Sequence, residues 1–299
     1  MDVELRHLRA LVAIVEAGTI TAGAARLGIA QPALSRTLRQ LENRVGTTLL
    51  DRSTRHLEPT HRGRAFYDRA RAILATVDDA VAEAAGPRPL RLGYAWAALG
   101  SHTTPLLRAW REAHPDVPVE VHRVDTRTAG LEHRLVDVAL LRSRPEDAGV
   151  RGHPLYREPR LVALPDVHPL AGADVLELAD LSGETIALCP PIGTTSLDLW
   201  PAERRPTSAV EVGNVDDWLN VIASGGAVGV TAAGSRHTHP YPGVVYRPLR
   251  GAPPITVYVA WTDGPAHPAL EEFVAHLVGG VHAGGAAVRG ERVRPCAST

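Results

Sequence analysis

Apolar residues recur three and four apart at the start of the chain. Leu5, Leu8, Leu11, Val12 and Val15 fall on one stripe, and the spacing predicts an amphipathic first helix that stops at Gly18. A small-residue segment, AGAARLG, comes next. Thr21 is its expected N-cap and Gly28 its end, and Ala24 and Ala25 are small enough to let another helix approach closely. The pattern changes again in IAQPALSRTLRQLE, Ile29 to Glu42. Pro32 suits the first turn of a helix, where a missing N–H costs nothing. Leu34, Leu38 and Leu41 then share one face, while Ser35, Arg36, Arg39 and Gln40 share the others. VGTTLLDRSTRHLEPTHRG, Val45 to Gly63, reads as a strand, an arginine-bearing turn and a second strand. Phe66, Ala70, Ile73, Val77, Ala80 or Val81, and Ala84 next repeat at alternating threes and fours, a heptad-like seam that ends in the hinge signal AAGPRP. From Leu90 onward strand-like and helix-like runs alternate, beginning with LRLGYAW, TTPLLRAWREAHP, VPVEVHRV and VDVALLR, which argues a parallel α/β sheet.

Two short helices joined by a tight glycine turn make a helix-turn-helix, whose second helix enters the major groove of DNA. Gln31, Pro32, Ser35 and Arg36 stand at the leading end of that second helix. Glutamine reads adenine, arginine reads guanine or holds phosphate, and proline touches a thymine methyl. Thr21 and Arg39 complete the expected contact set, with Arg52 and Arg55 of the wing placed for backbone phosphates. Charge supports this. The chain of 299 residues has a net charge of −1, but residues 1–65 carry ten arginines against six acids, leaving an acidic remainder. There is no lysine, and arginine is the better fork for phosphate and guanine. The exposed seam from Phe66 to Ala84 calls for a second copy of itself, because a lone helix of this kind is poorly stable.

Length predicts two domains. Two cysteines, Cys189 and Cys296, are too few for a disulfide framework or a zinc site, and Cys189 reads as a free core thiol. His237 and His239 lack further ligands, so no metal and no cofactor is expected. The first residues do not read as a signal peptide and no run reaches the length of a membrane span, so a cytoplasmic protein with no membrane partner is expected.

The segment from Ala10 to Gly63, ALVAIVEAGTITAGAARLGIAQPALSRTLRQLENRVGTTLLDRSTRHLEPTHRG, resembles the winged helix-turn-helix of LysR-type transcriptional regulators. The resemblance implies an α/β fold in three parts. These are a DNA-binding domain over 1–60, a dimerisation helix over 61–86, and a bilobal periplasmic-binding-protein-like type 2 effector domain over 88–280, with a flexible tail over 281–299. Lobe I is expected at 90–161 and 265–280, with lobe II at 162–264 between them. LYREPRLVALPDVHPLA resembles the family's crossing strand and ITVYVAW its return strand. The resemblance further implies a homodimer or homotetramer on double-stranded DNA, a small-molecule effector, contact with RNA polymerase, and no enzymatic activity. A departure stands at Ala30, where the family often has a serine that caps the recognition helix.

Ligands of such sheets bind at the carboxyl ends of the strands, beside helix starts. That rule selects Trp96, Ser101 and Thr103 after the first strand and Thr126, Arg127 and Thr128 after the second. From lobe II it selects Thr194, Thr195, Asn214 and Thr231. Many relatives place Ser or Thr in the first of these loops to hold a carboxylate; here Ala97 and Ala98 stand there, which suits a flatter or more apolar molecule. Two other functions are compatible with a bilobal body: a transporter's solute-binding module, which the attached winged helix opposes, and a cleft enzyme, for which no nucleophile, base and oxyanion set converges.

Overall fold

The structure, a computed structural model, describes residues 3–51, 57–86, 88–147, 149–190, 192–264 and 266–284. The chain divides into two compact units, the first built on residues 1–88 and the second on most of the remaining chain.

In the first unit, α1 (Leu5–Ala17), α2 (Ile20–Arg26) and α3 (Gln31–Val45) pack around Leu11, Ile14, Leu34, Leu38 and Leu41. The stripe of α1 is rotated from the sequence expectation. Leu5 is exposed, and His7, Ala10 and Ile14 take the inner face with Leu8 and Leu11. The start of α2 also differs, because Thr19 rather than Thr21 is the N-cap and its hydroxyl accepts from the Ala22 N–H at 3.1 Å. Thr21 is exposed on the first turn of the helix. The close approach of α2 to α1 is made by Gly23 and Ala24, while Ala25 faces solvent. Gly28, at φ 65°, makes the left-handed turn between α2 and α3 that an L side chain would strain.

The wing is the antiparallel pair β1 (Leu50–Asp51) and β2 (Glu58–Pro59). Arg52 and Arg55 lie outside the described residues. Thr60 accepts from the Gly63 N–H at 2.9 Å and donates to the Thr48 carbonyl, tying the wing to α4 (His61–Ala85). A Cβ on Gly63 would stand 1.8 Å from the Leu49 carbonyl oxygen, so only glycine fits this crossing. The start of α4 packs into the first core through Phe66 and Tyr67, and Ala70 one turn on is buried. Further along, the seam opens to solvent: Ile73 is 47% and Val81 65% exposed.

The second unit holds two sheets. The first has the order β4-β3-β5-β13-β6. Its strands are β3 (Leu90–Tyr94), β4 (Val119–Arg123), β5 (Val138–Leu141), β6 (Val150–Glu158) and β13 (Ile255–Thr262). β3 runs parallel to β4 and β5, and β13 is antiparallel to β5 and β6. α5 (Thr103–Ala113) and α8 (Leu270–Gly284) pack together, with Trp110, Phe273 and Leu277 in this lobe's core. α8 extends past the expected limit at 280.

The second sheet has the order β10-β9-β11-β7-β12-β8, from β7 (Arg160–Pro165), β8 (Leu176–Glu177), β9 (Thr185–Leu188), β10 (Ser208–Glu211), β11 (Val228–Ala232) and β12 (Val244–Arg250). α6 (Val215–Ala223) buries Trp218, Leu219 and Ile222 on one side, and the four-residue α7 (Ser235–Thr238) comes after β11. The lobe limits differ from the sequence expectation. β6 belongs to the first sheet and β7 to the second, so the chain crosses at Pro159 rather than after 161. It returns before Ile255 rather than at 265, because β13 finds its partners in lobe I. A strand-forming run does not say which of two sheets it joins, and only its partners decide. No single helix among the described residues is long and apolar enough to cross a membrane.

Candidate DNA-reading helix and ligand cleft

The buried Leu34, Leu38 and Leu41 fix the rotation of α3. Gln31, Pro32, Arg36, Arg39 and Gln40 are therefore exposed, and Ser35 is half-buried at the margin. Other arginines of this unit are engaged: Arg6 with Glu4 at 2.8 Å and Arg26 with Glu16 at 2.7 Å. Among the described residues neither Arg36 nor Arg39 has a carboxylate partner, so both guanidiniums remain available to a polyanion. The N-cap, Ala30, supplies no side-chain hydrogen bond. Ala30→Ser should stabilise α3 by about 1 kcal/mol, seen as a higher Tm; an unchanged or lower Tm would show the first-turn N–H groups to be otherwise satisfied.

The second unit contains a cleft of about 700 Å³ between its lobes. Its walls come from the carboxyl ends of β3, β4, β5 and β9 and from the strands that cross between lobes. Trp96, Thr126, Arg127, Thr194 and Thr195 line it. The other five expected residues have other positions. Ser101 is exposed outside the lining, and Thr103 accepts from the Leu99 N–H and donates to the Gly100 carbonyl, both at 3.0 Å. Thr128 is buried away from the lining. Asn214 caps α6 by accepting from the Asp217 N–H at 2.9 Å. Thr231 is buried with its hydroxyl 2.7 Å from that of Ser235.

Trp96 does more than line the wall. It leaves lobe I after β3 and enters the core of lobe II, where its indole N–H donates to the Ser235 hydroxyl at 2.8 Å. Its ring meets Trp218 edge-on at 5.5 Å. Arg123 supplies a second tie between lobes: it forks onto Asp125 and reaches Asp216 at the start of α6 at 3.5 Å.

Two arginines of the cleft, Arg142 and Arg160, escape sequence reasoning. Arg142, just past β5, pairs with Glu158 at 2.7 Å, and the two side chains are only 5% and 6% exposed. The second oxygen of Glu158 accepts from the Gly234 N–H of lobe II at 2.7 Å. The Arg142 Nη2 is buried without a hydrogen-bond partner. Arg160 opens β7 and is 9% exposed. Its Nε donates to the Pro253 carbonyl at 2.9 Å, and its Nη1 donates to the Thr194 carbonyl at 3.0 Å and the Thr195 hydroxyl at 3.1 Å. Burial pulls its pKa below the ordinary arginine value. The sequence signal was slight: an arginine opening the apolar run RLVALP reads as a strand edge.

Cys189 is buried beneath the same wall, and burial pushes its thiol up to about 11. Thiolate is then scarce at neutral pH. Native protein should alkylate with iodoacetamide at Cys189 far more slowly than unfolded protein; equal rates would contradict its reading as an inert core thiol. Cys296 lies outside the described residues.

An open cationic reading helix, on the same chain as a bilobal cleft domain, defines a DNA-binding regulator with an effector domain. Comparison with known proteins agrees. Residues 5–64 match the family described as "Bacterial regulatory helix-turn-helix protein, lysR family", and residues 85–281 match the "LysR substrate binding domain". The Hca operon transcriptional activator HcaR of Escherichia coli (strain K12) is 32% identical over 288 residues, covering 91% of this chain and 96% of that protein. The HTH-type transcriptional regulator BenM of Acinetobacter baylyi is 30% identical, covering 86% and 89%. Among solved structures, that of CbnR, a LysR family transcriptional regulator, superposes with a TM-score of 0.69 at 24% identity, covering 93% of this chain and 99% of that one. The chain belongs to the LysR family of transcriptional regulators. It is a DNA-binding transcription regulator and not an enzyme.

Proposed function

We propose that this regulator reads an inverted-repeat operator as a homodimer or homotetramer, and that a small molecule in the cleft shifts the placement of its reading helices. The observation that carries the proposal is the face of α3: Gln31, Pro32, Arg36 and Arg39 project outward from a helix locked by three buried leucines. CbnR, which has this fold, has been solved bound to its target DNA. Effector action requires unequal affinity for two arrangements of the assembly. A gel shift with the DNA upstream of the gene, run across salt concentrations, tests the proposal. Sequence-selective binding that weakens steeply with salt is the expected result; indifference to sequence at moderate salt would defeat it.

The exposed apolar positions of α4 support pairing with a second copy. Replacing both Ile73 and Val81 by glutamate should convert the assembly to smaller species in analytical ultracentrifugation while the far-ultraviolet spectrum stays unchanged. An unchanged sedimentation profile would place the interface elsewhere.

A further inference from the structure

We propose that the cleft takes a small organic anion, its oxyanion group held by Arg160 at the crossing between lobes, with Arg142 as the second donor. This rests on the reading of the cleft as the effector site. Arg160 is buried, yet every acceptor it meets is neutral: two carbonyls and one hydroxyl. A buried guanidinium stays protonated, and without a counter-charge it is costly to desolvate. Arg142 repeats the imbalance, since Glu158 engages its Nε and the Gly234 N–H while the Nη2 is left unpartnered. Two buried cationic groups thus reach one cleft with one buried carboxylate between them. The only acid in the lining, Glu211, is exposed and forms no ion pair with either arginine among the described residues.

The remaining wall says what the anion carries. Trp96, Leu140, Ile192 and Ile255 are apolar, and the volume of about 700 Å³ far exceeds an inorganic ion. A carboxylate, or another oxyanion, on an apolar body satisfies both. Ala97 and Ala98 are buried outside the lining, so the loss of hydroxyls there does not argue against an anion. Recognition moves from the first loop to the crossing strand. Arg160 joins the outgoing strand to Pro253 of the returning segment and to the loop at Thr194. An anion bound there would act on the two segments about which the lobes turn.

Thermal unfolding of the full chain at fixed ionic strength tests this with charge-differing pairs: phenylacetate against phenylacetamide, and hexanoate against hexanamide. Sodium sulfate and phosphate against chloride test an inorganic source. Carboxylates should raise Tm by several degrees at millimolar concentration and amides by much less, and Arg160→Gln should weaken the carboxylate effect at least tenfold. Amides equal to carboxylates, or a carboxylate shift surviving in Arg160→Gln, would overturn the inference, as would no response to any anion. Sulfate matching hexanoate would overturn the organic part. Neutral compounds that alone shift Tm and operator binding would leave the effector reading standing while the anion fails; no compound of either charge altering either quantity would count against both. A purely structural role for Arg160 predicts that Arg160→Gln lowers the ligand-free Tm while the difference between carboxylate and amide persists; the anion site predicts that this difference is lost whatever the ligand-free Tm, which falls in either case because the Pro253 and Thr194 carbonyls lose their donor.

Discussion

Replacing Arg36 by alanine is expected to reduce operator affinity at least about tenfold. A well-made arginine contact to a base edge is worth about 1–3 kcal/mol, and an assembly that uses two half-sites loses it twice. The structure removes the usual competing explanation, since Arg36 is exposed and its truncation leaves the Leu34–Leu38–Leu41 core intact. The shape of the loss distinguishes its cause. If Arg36 reads a base, discrimination at one operator position collapses while the salt slope is kept. If it holds a phosphate, affinity falls uniformly across sequences and the slope drops by about one. Gln31→Ala should relax base choice with a smaller loss of affinity. Full affinity and selectivity in both variants, measured by fluorescence anisotropy against the operator and single-base variants, would contradict the assignment of α3 to the groove.

The second large effect is expected from Glu158→Ala. The substitution strips the charge partner from Arg142 and the acceptor from the Gly234 N–H, leaving both buried. Breaking a buried pair on one side costs about 3–5 kcal/mol, which for a domain of this size lowers Tm by on the order of 10 °C. Glu158→Gln keeps an acceptor and should fall between. Removing both charges in an Arg142→Met, Glu158→Ala double variant should recover much of the loss, since a desolvated pair contributes little against well-packed apolar groups. A thermal series across the four proteins checks this. A double variant no better than Glu158→Ala would mean that the lobe contact through Gly234, not the stranded charge, carries the energy.

The reading helix was legible in the sequence because local rules agree there: proline in the first turn, leucines at positions 34, 38 and 41, glycines at both flanks. The start of α2 was not, because threonines at positions 19 and 21 are both good caps and only the Ala22 N–H distinguishes them. In α1 the periodic rule held while the face was displaced, since Ala10 and His7 pack inward despite weak hydrophobicity. The strand-end rule located the cleft loops but not the direction of their side chains. Asn214 and Thr103 stand in such loops outside the lining and serve the backbone; Thr126 and Thr195 line the cleft, yet their hydroxyls also serve the backbone, accepting from the Gly130 N–H and donating to the Val230 carbonyl. Arg160 and Arg142 were invisible because burial of a charge is a property of tertiary neighbours, and nothing in one dimension marks RLVALP as a strand that hides its first residue.

The indole of Trp96, lodged in the opposite lobe, limits what an effector can do mechanically. Two polypeptide crossings fasten one margin of the chamber, and this ring fastens another. Wide gaping would drag a large aromatic surface into water and exchange its N–H bond to Ser235 for one to solvent, so large-amplitude breathing is disfavoured. In the assembly proposed above, the signal would then travel as a small torsion about the crossing strands, and its reach would come from how many copies of the chain add their rotations together.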